Sequence, residues 1–162
     1  MKAKTILILA LCVVFTAHAQ TKYSETEAVL KTAKAQLNNF IKDLPDESLA
    51  DYGFSGKQEF RKITFGEPIP IFTLNDTAVV FTSTWRVPIV IDKEYRSLLT
   101  VIQEEGVFRA VDFGACELAK AYAANKTPKT TGMLRVYEIR KDFLIEGSEK
   151  GSQAFIPIEF TR

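Results

Sequence analysis

Leu30, Ala33, Leu37, Phe40 and Leu44 recur at spacings of three and four, with Lys31, Lys34, Asn38 and Lys42 lying off that stripe. The periodicity predicts a one-sided amphipathic helix whose apolar face must be buried against another element. Ser24 and Glu27 stand at capping-box spacing at its start, and Pro45 ends it. The pattern then changes period. After a polar stretch, "PDESLADYGFSG", with a helical turn around Glu47 to Ala50, "EPIPIFTLND" reads as a short extended segment closed by an Asn-Asp turn. Phe81, Ser83, Trp85, Val87, Ile89 and Ile91 then alternate with Thr82, Thr84, Arg86, Pro88 and Val90, the period of a strand with one mainly apolar face. Pro88 removes a ladder donor, so a sheet edge or a bulge is expected there.

Tight turns at "DKEY" and "QEEG" separate "YRSLLTVI" from "VFRAVDF", which predicts an antiparallel meander. Gly114 breaks the alternation. From Ala115 to Ala124 a helical spacing returns, with Ala115, Leu118, Ala119 and Tyr122 on one face. "MLRVYEI" is a further strand, and "DFLIE" with "SQAFIPIEF" predicts a hairpin across Gly147 to Gly151. Repeated βαβ crossovers are absent, which argues against a parallel α/β sheet. The expected class is α+β: an N-terminal amphipathic helix and a second short helix packed on one face of a curved antiparallel sheet. Cystatin-like and profilin-like topologies both fit that order.

Composition changes the picture at the N-terminus. "MKAKTILILALCVVFTAHAQ" has a basic start, an apolar run from Ile6 to Phe15, and Ala17 and Ala19 around His18. This is the order of a secretory signal peptide cleaved after Ala19, and the run is too short for a membrane anchor of about 20 residues. Residues 1–19 are thus read as signal peptide and 20–162 as a single domain, destined for the periplasm or the extracellular space. Removing Lys2 and Lys4 leaves 19 basic residues against 20 acidic ones, which gives no electrostatic reason to expect nucleic acid. His18, the sole histidine, and Cys12 leave with the signal, so the mature domain keeps one thiol, Cys116.

That loss constrains chemistry. Cys116 precedes a helical run, where a helix N-terminus can lower a thiol pKa, but a thiol nucleophile normally needs a histidine base. Packing is the better reading. Metal sites built from His and Cys are excluded, and Asp43, Asp46, Glu47 and Asp51 lack the spacing of a calcium loop. Glu104 with Glu105, and Asp112 with Glu117, are available as carboxylate pairs, yet each pair has an adequate turn or helix-start explanation. No phosphate loop, nucleophile elbow or dinucleotide fingerprint is present. No cofactor or metal is expected. The strongest binding potential lies in "STWRVPIVIDKEYR", where Trp85 and Arg86 are followed on the next strand by Tyr95 and Arg96, residue types enriched at interaction hot spots. The competing reading sends Trp85 into the core, with Arg86 and Arg96 pointing outward.

"YGFSGKQEFRKITFGEPIPIFTL", "TWRVPIVIDKEYRSLLTV" and "FRAVDFGACELAKA" together resemble a group of small secreted bacterial proteins of uncharacterised function, with a G-x-P-I segment, a W-x-x-P-[IV] strand and an R-x-L-L-T-V strand. The resemblance implies a shared fold over residues 52–124 and carries no activity. The leading expectation is an exported, non-catalytic module that binds a protein, peptide or small ligand. Two alternatives stand beside it: a carboxylate-dependent enzyme acting on envelope or extracellular carbohydrate, and an inhibitor or propeptide-like partner of an exported protease. No membrane span is expected after cleavage.

Overall fold

The alternating segments form strands, as the period-two pattern requires. The computed structural model describes residues 25–76, 78–147 and 152–160; the expected signal peptide, its cleavage site and the capping residue Ser24 lie outside them. The described residues contain β1 (Thr64–Phe65), β2 (Ile69–Asn75), β3 (Ala78–Ile91), β4 (Glu94–Glu104) and β5 (Val107–Gly114), then β6 (Thr130–Val136), β7 (Lys141–Gly147) and β8 (Gln153–Pro157). Helical segments cover residues 25–36 (α1), Asn38–Ile41 (α2) and Cys116–Asn125 (α3), with 3₁₀ turns at Asp46–Tyr52 and Lys57–Lys62.

The result is a mixed α+β fold on a curved, unclosed sheet. Strand order is β5–β4–β3–β2–β6–β7–β8, and β1 pairs with β3 beyond the start of β2. Antiparallel pairing dominates, as the tight turns predict. The exception is the central β2–β6 pair, which is parallel: Ile71, Phe72 and Thr73 run beside Met133, Leu134 and Arg135.

The helices cover both faces of the sheet, not one. Successive side chains on a strand point to opposite faces, and on β4 both Leu98 and its neighbour Leu99 are buried. Leu99 belongs to a core with Trp85, Val87, Ile89 and Phe113, covered by Val29, Ala33, Leu37 and Ile41. Leu98 belongs to a second core with Ile69, Ile71, Met133 and Leu144, covered by Leu118, Ala119 and Tyr122 of α3. The near-continuous apolar runs "VPIVI" and "SLLTVI" are the sequence form of two-sided burial.

The buried stripe of the first helical region is also rotated from the expected one. Val29, Ala33, Leu37, Ile41 and Leu44 are buried, while Leu30 and Phe40 flank them, partly buried. Beneath this layer Phe113 meets Tyr52, stacked at 5.5 Å, and Phe40 and Phe54 at 6.3 and 6.1 Å. At the sheet's edge the Ala110 N–H donates to Gln36 Oε1 at 2.9 Å, so α1 also caps part of the exposed β5 edge.

Pro88 lies in a central strand, between β1 and β4, and the irregularity falls one step on. Ile89 pairs with Ser97 but Val90 pairs with Tyr95, leaving Arg96 as the extra residue. In β3 the pairing jumps from Ile71–Thr84 to Phe72–Phe81. Two residues are skipped there, so parity survives and Phe81 stays on the face of Trp85. Gly114, at φ +139°, turns the chain from β5 into α3, a backbone state that favours glycine.

Candidate functional site

Parallel pairing of β6 with β2 begins only at Ile71. The stretch of β2 before it therefore borders a notch. Pro68 and Pro70 line this notch, and neither can donate to a neighbouring strand. The notch opens into a cleft of about 910 Å³, within the size range of small-molecule sites.

Its floor is aromatic. Phe72, Phe81 and Trp85 all line it, and their rings form a chain with centroids 5.5 Å (Phe72–Phe81) and 5.0 Å (Phe81–Trp85) apart, continued to Phe108 at 5.6 Å. Trp85 is buried, 4% exposed, whereas Phe81 is 37% exposed. The floor thus has a fixed base and an accessible end. Gly132 supports it: a Cβ there would lie 2.9 Å from the Phe72 ring and 3.0 Å from the Pro70 carbonyl oxygen.

On the other face of the sheet, the cleft is walled by Tyr95, Tyr122 and Lys126. The two tyrosine rings stack at 6.3 Å. Lys126 Nζ lies 4.5 Å from the Tyr95 ring centroid and donates to Tyr95 Oη at 2.7 Å. Burial raises the Tyr122 phenol to about 12, with the neighbouring Tyr95 and Glu67 adding to the effect. The second wall is the loop after α3. It is held by Thr130 N–H donating to the Thr127 carbonyl at 3.0 Å and Thr127 Oγ1 donating to Glu146 at 2.6 Å. Glu25 and Thr26, at the start of α1, complete the rim with Glu67.

Of the four sequence-selected residues, Trp85 and Tyr95 come together on this cleft, and Trp85 does so as part of the core. Arg86 and Arg96 do not line it. Nor do they project freely outward. Arg86 turns toward β6 and β7, its Nη1 3.3 Å from Met133 Sδ and 3.8 Å from Asp142 Oδ1. Asp142 is 6% exposed and accepts from Arg135 Nη1 at 2.5 Å. Burial lowers the Arg86 pKa, the Asp142 charge opposing and Arg135 reinforcing the shift. Arg96, in the β4 bulge, pairs with Glu94 at 3.2 Å and Glu59 at 3.8 Å, and its Nε is buried without a hydrogen-bond partner.

The thiol is not activated. Burial, and then the Glu117 carboxylate 3.7 Å from Sγ, raise the Cys116 pKa despite its place at the start of α3. Glu117 is engaged by Lys120 at 2.9 Å, and Glu104 by Arg109 at the tip of the β4–β5 hairpin. In the acidic loop Asp46 pairs with Lys57 at 2.9 Å. Among the described residues no group of His, Cys, Asp and Glu is arranged to hold a metal, and no helix is long and apolar enough to cross a membrane. The cleft's carboxylates, Glu25 and Glu67, escaped sequence reasoning, as did Phe72 and Lys126. The one signal was the "EPIP" stretch, whose prolines forbid a complete ladder. The chain matches no family model, no curated protein and no solved structure.

Proposed function

We propose that the domain is an exported, non-catalytic module that binds a small ligand, or a short segment of a larger one, in the cleft between β2 and β6. The observation that carries the reading is the aromatic floor, with Phe81 accessible over a buried Trp85. An apolar surface held open at the mouth of a cavity is a binding feature more than a folding one. Within the fold, α1 lying over the β2–β5 meander is the part that supports a cystatin-like layout; α3 and β6–β8 extend it.

Trp85 is the only tryptophan in the chain, so its emission reports on the floor directly. Titrating the purified domain with a panel of small molecules should give saturable changes in that emission for some members, and Phe81→Ser should abolish them while leaving the circular dichroism spectrum intact. A panel that leaves the emission unchanged, or binding indifferent to Phe81→Ser, overturns the reading.

A second reading has one observation in its favour: the cleft carries two carboxylates, Glu25 and Glu67, the minimum for acid–base cleavage of a glycoside. It expects turnover of envelope or extracellular oligosaccharides that Glu25→Gln or Glu67→Gln each removes. Oligosaccharides that bind and are released uncleaved would eliminate it.

A further inference from the structure

Resting on the cleft as the binding site, we infer that its ligand is an organic cation: an ammonium or guanidinium group carried on an apolar body. The charge and the hydrogen-bonding groups of the lining favour such a ligand. Several donors of the lining are committed within the protein. Lys126 Nζ is bonded to Tyr95 Oη, and the Thr127 hydroxyl to Glu146. The Thr127 N–H is bonded to Thr130 Oγ1, and the Thr131 hydroxyl to the Ile145 carbonyl. The Thr130 and Gly147 N–H groups are bonded to the Thr127 and Lys129 carbonyls. Pro68, Pro70 and Pro128, all on the lining, have no N–H to offer.

Acceptors are in the opposite position. Glu25 and Glu67 line the rim, and no ion pair engages either among the described residues. The one described lysine of the lining already sits over the Tyr95 ring. With Glu25 and Glu67 set against Lys126, the described lining carries a net negative charge. An ionised carboxylate accepts only, so a ligand that completes this site must donate. A neutral apolar molecule would leave the rim unused, and an anion would face two carboxylates against one lysine. An ammonium on an aliphatic or aryl body satisfies both parts: its body covers Phe72 and Phe81, and its charge meets Glu25 and Glu67. Aromatic faces next to carboxylates further favour a cation.

Three probes with one body and different ends separate the possibilities: 4-phenylbutylamine, 4-phenylbutanol and 4-phenylbutyrate, each titrated into the full domain with Trp85 emission excited at 295 nm. The amine should bind at least tenfold more tightly than the alcohol, and the butyrate weakest of the three. Glu67→Gln should weaken the amine about fivefold or more and leave the alcohol unchanged; Glu67 is exposed, so folding is not at stake, and circular dichroism confirms it. Alcohol or butyrate binding as tightly as the amine would overturn the cationic class while leaving the cleft as the binding site. If none of the three perturbs Trp85, nor shifts cleft amides in a ¹⁵N-correlated spectrum, the class and the cleft reading fall together.

Discussion

Asp142 should be the most sensitive charged position among the described residues. Its side chain is 4% exposed, and it lies between two arginines whose side chains are 22% and 29% exposed, Arg86 and Arg135. Replacing it with asparagine keeps the shape and deletes the charge. Two partly desolvated guanidinium groups would then face each other with no negative charge between them. Removing one partner of a fully buried pair costs about 3–5 kcal/mol. Because roughly a quarter of each arginine reaches water, about 2–3 kcal/mol is the better figure here. Deleting Arg86 is different. Its guanidinium is already penalised by burial and by Arg135, and Asp142 keeps its closer partner, so Arg86→Met should cost less than about 1 kcal/mol. Urea denaturation followed by Trp85 emission and far-ultraviolet circular dichroism measures both. For a domain of this size, Asp142→Asn should lower Tm by roughly 10 °C. The reasoning fails if Asp142→Asn costs under 1 kcal/mol, or if Arg86→Met costs as much.

Gly132→Ala should destabilise the domain by about 1–3 kcal/mol through overpacking, since the new methyl meets the Phe72 ring and a backbone carbonyl that cannot rotate away; an unchanged urea midpoint would refute it. Tyr122 is favoured neutral in the folded state, with its pKa at about 12 against roughly 10 in an unfolded chain. Its contribution to stability is therefore complete below about pH 10 and is lost as pH rises toward 12. Absorbance at 295 nm should show one phenol titrating late, and Tyr122→Phe should remove that step. A thiol pKa raised by burial means Cys116 should react with Ellman's reagent at pH 8 more slowly than free cysteine. Cys116→Ser should change stability by less than about 1 kcal/mol; fast labelling or a larger loss would contradict the placement of Cys116 in the fold.

The strands and turns were legible because period and turn chemistry are local. Phe81 to Ile91 kept one face through a two-residue irregularity because a skip of two preserves parity. The first helix was harder. Leu30 and Phe40 keep helical spacing one position away from Val29 and Ile41, which occupy the buried line, and periodicity alone does not separate two adjacent apolar stripes. Two-sided burial was written in "VPIVI", but a continuous apolar run does not say what covers each face. The cleft was not legible. Its residues come from the start of α1, from β2 and β3, from the end of α3 and from the loop before β6, and only tertiary pairing brings Glu25, Phe72 and Lys126 together. Arg86 shows the same limit: alternation fixed its face, and nothing local indicated that Asp142, 56 positions later, would receive it.

The parallel β2–β6 pair has a consequence for the order in which the chain assembles. Tight turns let β2 to β5 pair locally, and β6 to β8 can do so as well. Joining the two halves instead closes a loop of about 60 residues between Ile71 and Met133, an entropically slow step whose cost precedes its reward. The walls of the cleft come from both sides of that seam. A half-folded chain would therefore hold most of its strands and lack the cleft, so ligand capture and completion of the fold are expected to arrive in the same kinetic phase.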